Sequence, residues 1–364
     1  MECETSFRSQ EKASRIQWTE GAIFSLPLDL GFFLLPLVFP ILIYFNNLQH
    51  KPHTDLFLIF MSIKLLIDTT HLTSTLYAAV HKAQTGQLSR VFVYSSPVLI
   101  LVLGSVLAKI DSRLFFTLIV YWSLIHFASQ QYGFVMMSRS KAKEAKSTRW
   151  IDAVMIFNLV QYPIVYLHGS ALQANRFMGG EFVFHASLSL TNLSASIFWA
   201  INLLYGAHLL LSFASRQPFN VGKFLILVNT GLVYYGCLVV MKDFWLWAIC
   251  LGLTHGLPYI GITYQSTFRG KFAHHKFHKD ALGRILFASN LLFLPIVVGL
   301  AVYIQRGPDT KSLLPFAVGN LLFPLYTFPM LMHYYLDSFI WKNPKKKTAP
   351  SLLNKFCRVS RDRI

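Results

Sequence analysis

Val91-Phe-Val-Tyr-Ser-Ser-Pro-Val-Leu-Ile-Leu-Val-Leu-Gly-Ser-Val-Leu-Ala108 runs eighteen residues without a charge, and Arg90 and Lys109 close it on either side. As a helix it is about 27 Å long, close to the roughly 30 Å of hydrocarbon in a bilayer. Working outward, comparable apolar stretches recur at 21–45, 55–80, 114–137, 150–169, 191–214, 222–241, 243–266, 285–304 and 312–341, separated by short polar or Pro/Gly-bearing connections. The composition agrees: of 364 residues 54% are hydrophobic, only 13% are charged and 32 are Phe, whereas a water-soluble domain carries about 25% charged residues. The expected fold class is therefore all-α, a polytopic integral membrane bundle of ten transmembrane helices. Its parts are a cytoplasmic N-terminal tail at 1–20, a transmembrane domain at 21–341 and a basic cytoplasmic tail at 342–364. The polar first 20 residues do not read as a cleavable signal peptide, so the first span reads as an anchor.

Charge tests the span count independently, because Lys and Arg collect in cytoplasmic loops. With ten spans, about 25 basic residues fall on one side and about 7 on the other, which puts both termini in the cytoplasm. The same asymmetry accounts for the net charge of +17 without nucleic acid as a partner. Arg139, Lys141, Lys143, Lys146 and Arg149, with Lys345, Lys346 and Lys347, are expected to face anionic lipid headgroups. The absence of sorting signals and the inside-positive bias fit a bacterial inner membrane. Cys3, Cys237, Cys250 and Cys357 have neither paired nor metal-ligand spacing, and nothing in the sequence fixes an oligomeric state.

Histidine carries the functional signal, since an ionisable side chain at bilayer depth is costly unless paired or bound to metal. His71, His126, His208, His255 and His333 lie one each in the second, fourth, sixth, eighth and tenth spans. Those spans all run from outside to inside, so the five imidazoles share one half of the bilayer. A bundle that brings these helices together presents several metal ligands to one cavity.

Neighbouring residues add to the pattern. Lys64, Asp68, His71 and Thr75 share one helix face, so Asp68 is placed to ligate metal or to orient His71. Gln130 stands one turn from His126 and Asp337 one turn from His333; either is a candidate acceptor fixing an imidazole tautomer. Tyr334 belongs to the polar knot His333-Tyr334-Tyr335-Leu336-Asp337. Asp68, Gln130, Tyr334 and Asp337 are the catalytic candidates. His255 precedes Gly256 and Pro258, which predicts a kink there. A further cluster, His274, His275 and His278, offers secondary metal ligands at the cytoplasmic mouth of the bundle. Against each reading stands a plainer one: single intramembrane histidines commonly hydrogen-bond to neighbouring helices, and the loop histidines suit a solvated, lipid-facing segment.

Imidazole with carboxylate suits non-haem iron, and also zinc, copper or nickel; the lack of thiolate spacing argues against iron–sulfur clusters and structural zinc. Iron as cofactor, with O2 as co-substrate and a lipid, acyl chain or isoprenoid arriving laterally, makes an oxygen-dependent membrane oxidoreductase the leading expectation. Its partners are then membrane lipids and a lipophilic small molecule.

Histidines dispersed over several membrane helices resemble the layout of the Brp/Blh-type β-carotene dioxygenases, integral membrane proteins of similar size. That resemblance implies histidine-bound iron and oxidative cleavage of a carotenoid, with His71, His126, His255 and His333 in correspondence. The loop segment His274-His275-Lys276-Phe277-His278 is similar, more loosely, to one box of the membrane desaturases and hydroxylases, which carry three. Two other classes stay open. A transporter would use Asp29, Asp68, Asp152, His71 and His208 as a proton relay. An acyl or group transferase would use His126 or His333 as a general base.

Overall fold

A computed structural model describes residues 21–49, 54–84, 86–170, 185–215, 217–268 and 316–341. Among them the chain is helical and holds no strand: α1 (Leu26–Phe33), α2 (Leu35–Gln49), α3 (Thr54–Gln84), α4 (Arg90–Ile110), α5 (Ser112–Lys141), α6 (Arg149–Gly169), α7 (Leu188–Ala214), α8 (Val221–Gly231), α9 (Phe244–Phe268) and α10 (Phe316–Ile340). A 3₁₀ turn at Lys146–Thr148 leads into α6, and α8 continues as a π-helix over Leu232–Val240. The predicted ninth span, both tails and the loop histidines His274, His275 and His278 lie outside the described residues.

Five helical segments among the described residues are long and apolar enough to cross a membrane: Arg90–Ile110, Lys146–Gly169, Leu188–Ala214, Val221–Val240 and Leu246–Gln265. Their surroundings differ. On α7, Leu203, Leu204, Leu210 and Leu211 are 68–72% exposed, an apolar face that water would penalise at about 25 cal/mol per Å² and lipid would not. In contrast, 78% of the α9 window is buried. α9 is thus the central post, packed against α3, α2, the π-helix, α1 and α5.

Local chemistry explains these elements. The predicted first span divides at Leu34 into α1 and α2, because Pro36 has no N–H to donate and its ring crowds the carbonyl one turn earlier. Asp29 accepts from the Ile23 and Phe24 N–H groups at 2.8 and 3.0 Å, holding the strand of chain before α1. Ala78, Ala79 and Ala83 on α3 let α10 approach closely through Met332, Leu336 and Ile340. At the same end, Lys82 donates from Nζ to the Ile340 carbonyl. Thr69, Thr70, Thr73, Ser74 and Thr75 make α3 polar where it is buried or half-buried. The hydroxyls of Thr73 and Ser74 bond back to the Thr69 and His71 carbonyls at 2.9 and 2.7 Å, which satisfies them inside the bundle.

The basic segment at the end of α5 departs from expectation. Arg139 is buried instead of facing headgroups. It pairs with Asp152 and, at 2.7 Å, with Glu144. Lys223 joins both carboxylates, at 2.8 and 3.3 Å, and Tyr205 donates to Asp152 at 2.9 Å. This two-cation, two-anion knot ties the ends of α5, α6 and α8 to α7, and it explains how a buried charge is tolerated there.

Candidate metal centre

His71, His126, His255 and His333 come from α3, α5, α9 and α10 and meet in the bundle interior. Each is 1–8% exposed, and each offers one ligand atom such that all four lie within 4.8 Å of one another. His333 Nε2 stands 2.8 Å from His71 Nε2 and 2.9 Å from His126 Nε2. The His71 and His255 ring centroids are 4.5 Å apart, and those of His126 and His255 5.1 Å. The rings meet edge to face rather than stacked, so their nitrogens converge. Two imidazole nitrogens bound at about 2.1 Å to one ion, at right angles, stand about 3.0 Å apart. The donor set therefore fits a metal ion held by four neutral nitrogens, and this is the metal-capable group among the described residues.

Hydrogen bonds behind the cluster fix one imidazole. Tyr259 donates from its hydroxyl to Asp337 Oδ1 at 2.6 Å, and Trp341 Nε1 donates to the same oxygen at 2.6 Å. Because Tyr259 spends its proton there, it accepts from Thr75 Oγ1, 2.7 Å away. Thr75 in turn spends its single proton on Tyr259, so its oxygen accepts from His333 Nδ1, 2.6 Å away. His333 is thereby held with the proton on Nδ1 and a bare Nε2 turned toward the other imidazoles, the form a metal needs.

Asp337 thus reaches His333 through two hydroxyls, not directly as the one-turn spacing predicts. Gln130 does not orient His126 either; its Nε2 donates to the His255 carbonyl at 3.2 Å. Asp68 is half-buried one turn before His71 and is not part of the four-residue group. Tyr334 lies beside His126 with ring centroids 4.4 Å apart, and Phe127 packs edge-on to His255 at 4.4 Å. His208 is not brought in: it lies half-buried on the outlying α7, near Tyr205. His168 is a packing histidine, donating from Nδ1 to the Ile164 carbonyl at 2.7 Å and accepting from Tyr121 at 2.6 Å.

Sequence reasoning missed Thr75 as a link and Tyr259 altogether. Tyr259 follows His255 by one turn, a spacing that reads as ordinary aromatic packing until α10 is placed against it. The sequence marks Gly256 only as part of a kink; its role is close approach, since a Cβ there would stand 2.7 Å from Ile67 Cγ2 on α3.

A cavity of about 220 Å³ adjoins the cluster between α5, α9 and α10. It touches His126, Gln130, Tyr259 and Asp337 and is flanked by Trp122 and Ile125. Ile125, 65% exposed, marks its opening on the outer surface of the bundle. No protein-family model, curated protein or solved structure matches this chain.

Proposed function

We propose that this chain is a ten-span membrane oxygenase with both termini cytoplasmic, in which His71, His126, His255 and His333 hold one non-haem iron ion and O2 oxidises a lipophilic substrate. The observation that carries the reading is the convergence of four buried imidazoles from four helices beside a cavity that opens sideways. A purely structural metal needs no such opening, whereas a catalytic one keeps a position accessible. Iron bound there would supply dioxygen activation. The chain's own residues would do the rest: the Thr75–Tyr259–Asp337 chain orients His333, Phe127 and Tyr334 pack against the imidazoles, and the gap at Ile125 admits a molecule from lipid.

Iron is favoured among imidazole-binding metals by the same four residues that the resemblance to the Brp/Blh-type dioxygenases implies as ligands. The proton-relay alternative is weakened because two of its members are committed elsewhere: Asp29 accepts two backbone N–H groups and Asp152 is ion-paired. A bacterial inner membrane is the proposed location. Elemental analysis of detergent-purified protein, beside a variant with His126 and His333 both replaced by Ala, tests the centre. Stoichiometric iron in the parent, lost in the variant, together with oxygen uptake in the presence of a lipophile, is the expected result. A folded parent that takes up no metal after iron supplementation overturns it. For topology, labelling a cysteine placed at Ser140 from outside intact cells would break the ten-span arrangement.

A further inference from the structure

The shape of the cavity beside the cluster follows from one face of α5. Trp122, Ile125, Ser129, Gly133 and Met137 line it on successive turns, a stripe about 22 Å long at 1.5 Å per residue. Trp122, Ile125 and Ser129 are exposed and Gly133 and Met137 half-buried, and Ser338 on α10 forms an exposed opposite lip. The cavity is thus a slot open along its side to whatever surrounds the bundle. At Gly133 an added Cβ would meet no atom within 4 Å. Glycine inside a helix costs about 1 kcal/mol relative to alanine, and no neighbouring helix comes close enough here to require it. What the missing side chain leaves is room in the slot.

A volume of about 220 Å³ is less than the roughly 300–1,000 Å³ of pockets that enclose a whole drug-sized ligand. Drawn out along four turns of helix, it is one hydrocarbon chain wide. Such a slot holds a segment of a longer molecule whose remainder stays outside, and its open side admits that segment without threading an end through. From these observations we propose that the slot takes a segment of one unbranched acyl chain, laid along α5 and belonging to a lipid that stays in the bilayer, with Gly133 setting the room for it. A methyl-branched or ring-ended chain, the carotenoid type included, is too wide. His126 lines the same slot and stands about 10 Å along the helix axis from Gly133, so the chain passes a cluster imidazole. Describing that chain as substrate rests on the metalloenzyme reading; its residence in the slot does not.

The test is photolabelling of the full-length protein in phosphatidylcholine nanodiscs that carry a trace of phosphatidylcholine with a mid-chain diazirine, with metal content measured on the same samples. Adducts mapped by mass spectrometry to the α5 stripe are compared with those on the exposed α7 face at Leu203 and Leu210, which reports ordinary lipid contact. The unbranched probe is expected to label the stripe about tenfold more than that face, the enrichment that 1.4 kcal/mol supplies. A probe of equal length with a methyl-branched phytanyl chain is expected to label both alike. Gly133→Phe and, separately, Ser129→Phe fill the slot away from the imidazoles. Each is expected to bring the unbranched probe to parity while metal content stays at the parent level, so misfolding of one variant leaves the other to decide. Parity for the unbranched probe in the parent, equal enrichment of the two probes, or undiminished enrichment in a folded filled variant overturns the inference. So does labelling of the stripe by a free diazirine fatty acid and not by the phospholipid. Enrichment in a protein that holds no metal would sustain the slot and remove the oxygenase reading; bound metal without enrichment would do the reverse.

Discussion

Replacing Thr75 by Val removes one oxygen and keeps the β-branched shape, so it isolates the hydroxyl that links His333 to Tyr259. Three contacts vanish, at 2.6 Å to His333 Nδ1, 2.7 Å to the Tyr259 hydroxyl and a longer 3.4 Å to the His71 carbonyl. A buried N–H left without an acceptor costs about 1–3 kcal/mol, and at 1.4 kcal/mol per tenfold this is roughly 5- to 150-fold in an equilibrium constant. His333 can recover part of that cost by moving its proton to Nε2, which is the nitrogen the metal requires, so the loss falls on the bound state. Metal affinity is expected to drop about 10–100-fold, as for other partners that orient a ligand. Competition against a calibrated chelator measures it, with thermal unfolding confirming that the variant is folded. Thr75→Ser restores the hydroxyl and is expected to recover most of the affinity. Parent-like affinity in Thr75→Val refutes the tautomer argument. Equal losses in the Val and Ser variants assign the effect to the lost methyl group or to packing.

His255→Ala is expected to abolish stoichiometric metal binding while His208→Ala leaves it intact, because only His255 is in the group; elemental analysis of both purified variants decides it. Gly256→Ala forces a methyl to within 2.7 Å of Ile67 Cγ2, so α9 must shift from α3 beside His71 and His255. The expected cost is about 1–3 kcal/mol of stability, with weaker metal binding read in the same chelator competition. Arg139→Ala leaves the buried Asp152 and the half-buried Glu144 to share a single cation, Lys223; destabilisation of about 3 kcal/mol is expected, visible as a lower unfolding temperature with unchanged metal content in the folded fraction.

What the sequence makes legible follows from which forces act locally. Apolar run length specifies a helix directly, so the second to eighth predicted spans coincide with helices to within a few residues. Position along a span converts to height along a helix, and of the five histidines this reading groups, His71, His126, His255 and His333 meet. Lateral position is different: it depends on which helices neighbour one another, and no periodicity encodes that order. His208 shares that placement along its span, yet α7 packs on α6 and presents most of its surface outward. Arg139 shows the same limit for charge. A basic residue in a polar loop reads as solvated until α6 and α8 bring Asp152, Glu144 and Lys223 around it. One-turn spacing misassigns the partners of His126 and His333; the bonds that orient the cluster, Thr75 to His333 and Tyr259 to Asp337, join residues 258 and 78 positions apart.

The placement of the carboxylates bears on why the cluster is built from imidazole alone. A divalent ion among four neutral ligands would keep its full charge in the bundle interior, where an uncompensated charge is costly. Direct carboxylate ligation would reduce that cost but would fill a coordination position and lower the electrophilicity of the ion. Here Asp68 and Asp337 each stand one helical turn from a cluster histidine. Asp337 is linked to His333 through Tyr259 and Thr75, which places a carboxyl group near the centre without occupying it. Because Asp337 also lines the cavity, a molecule bound there would sit against the same carboxyl group that orients His333 through Tyr259 and Thr75.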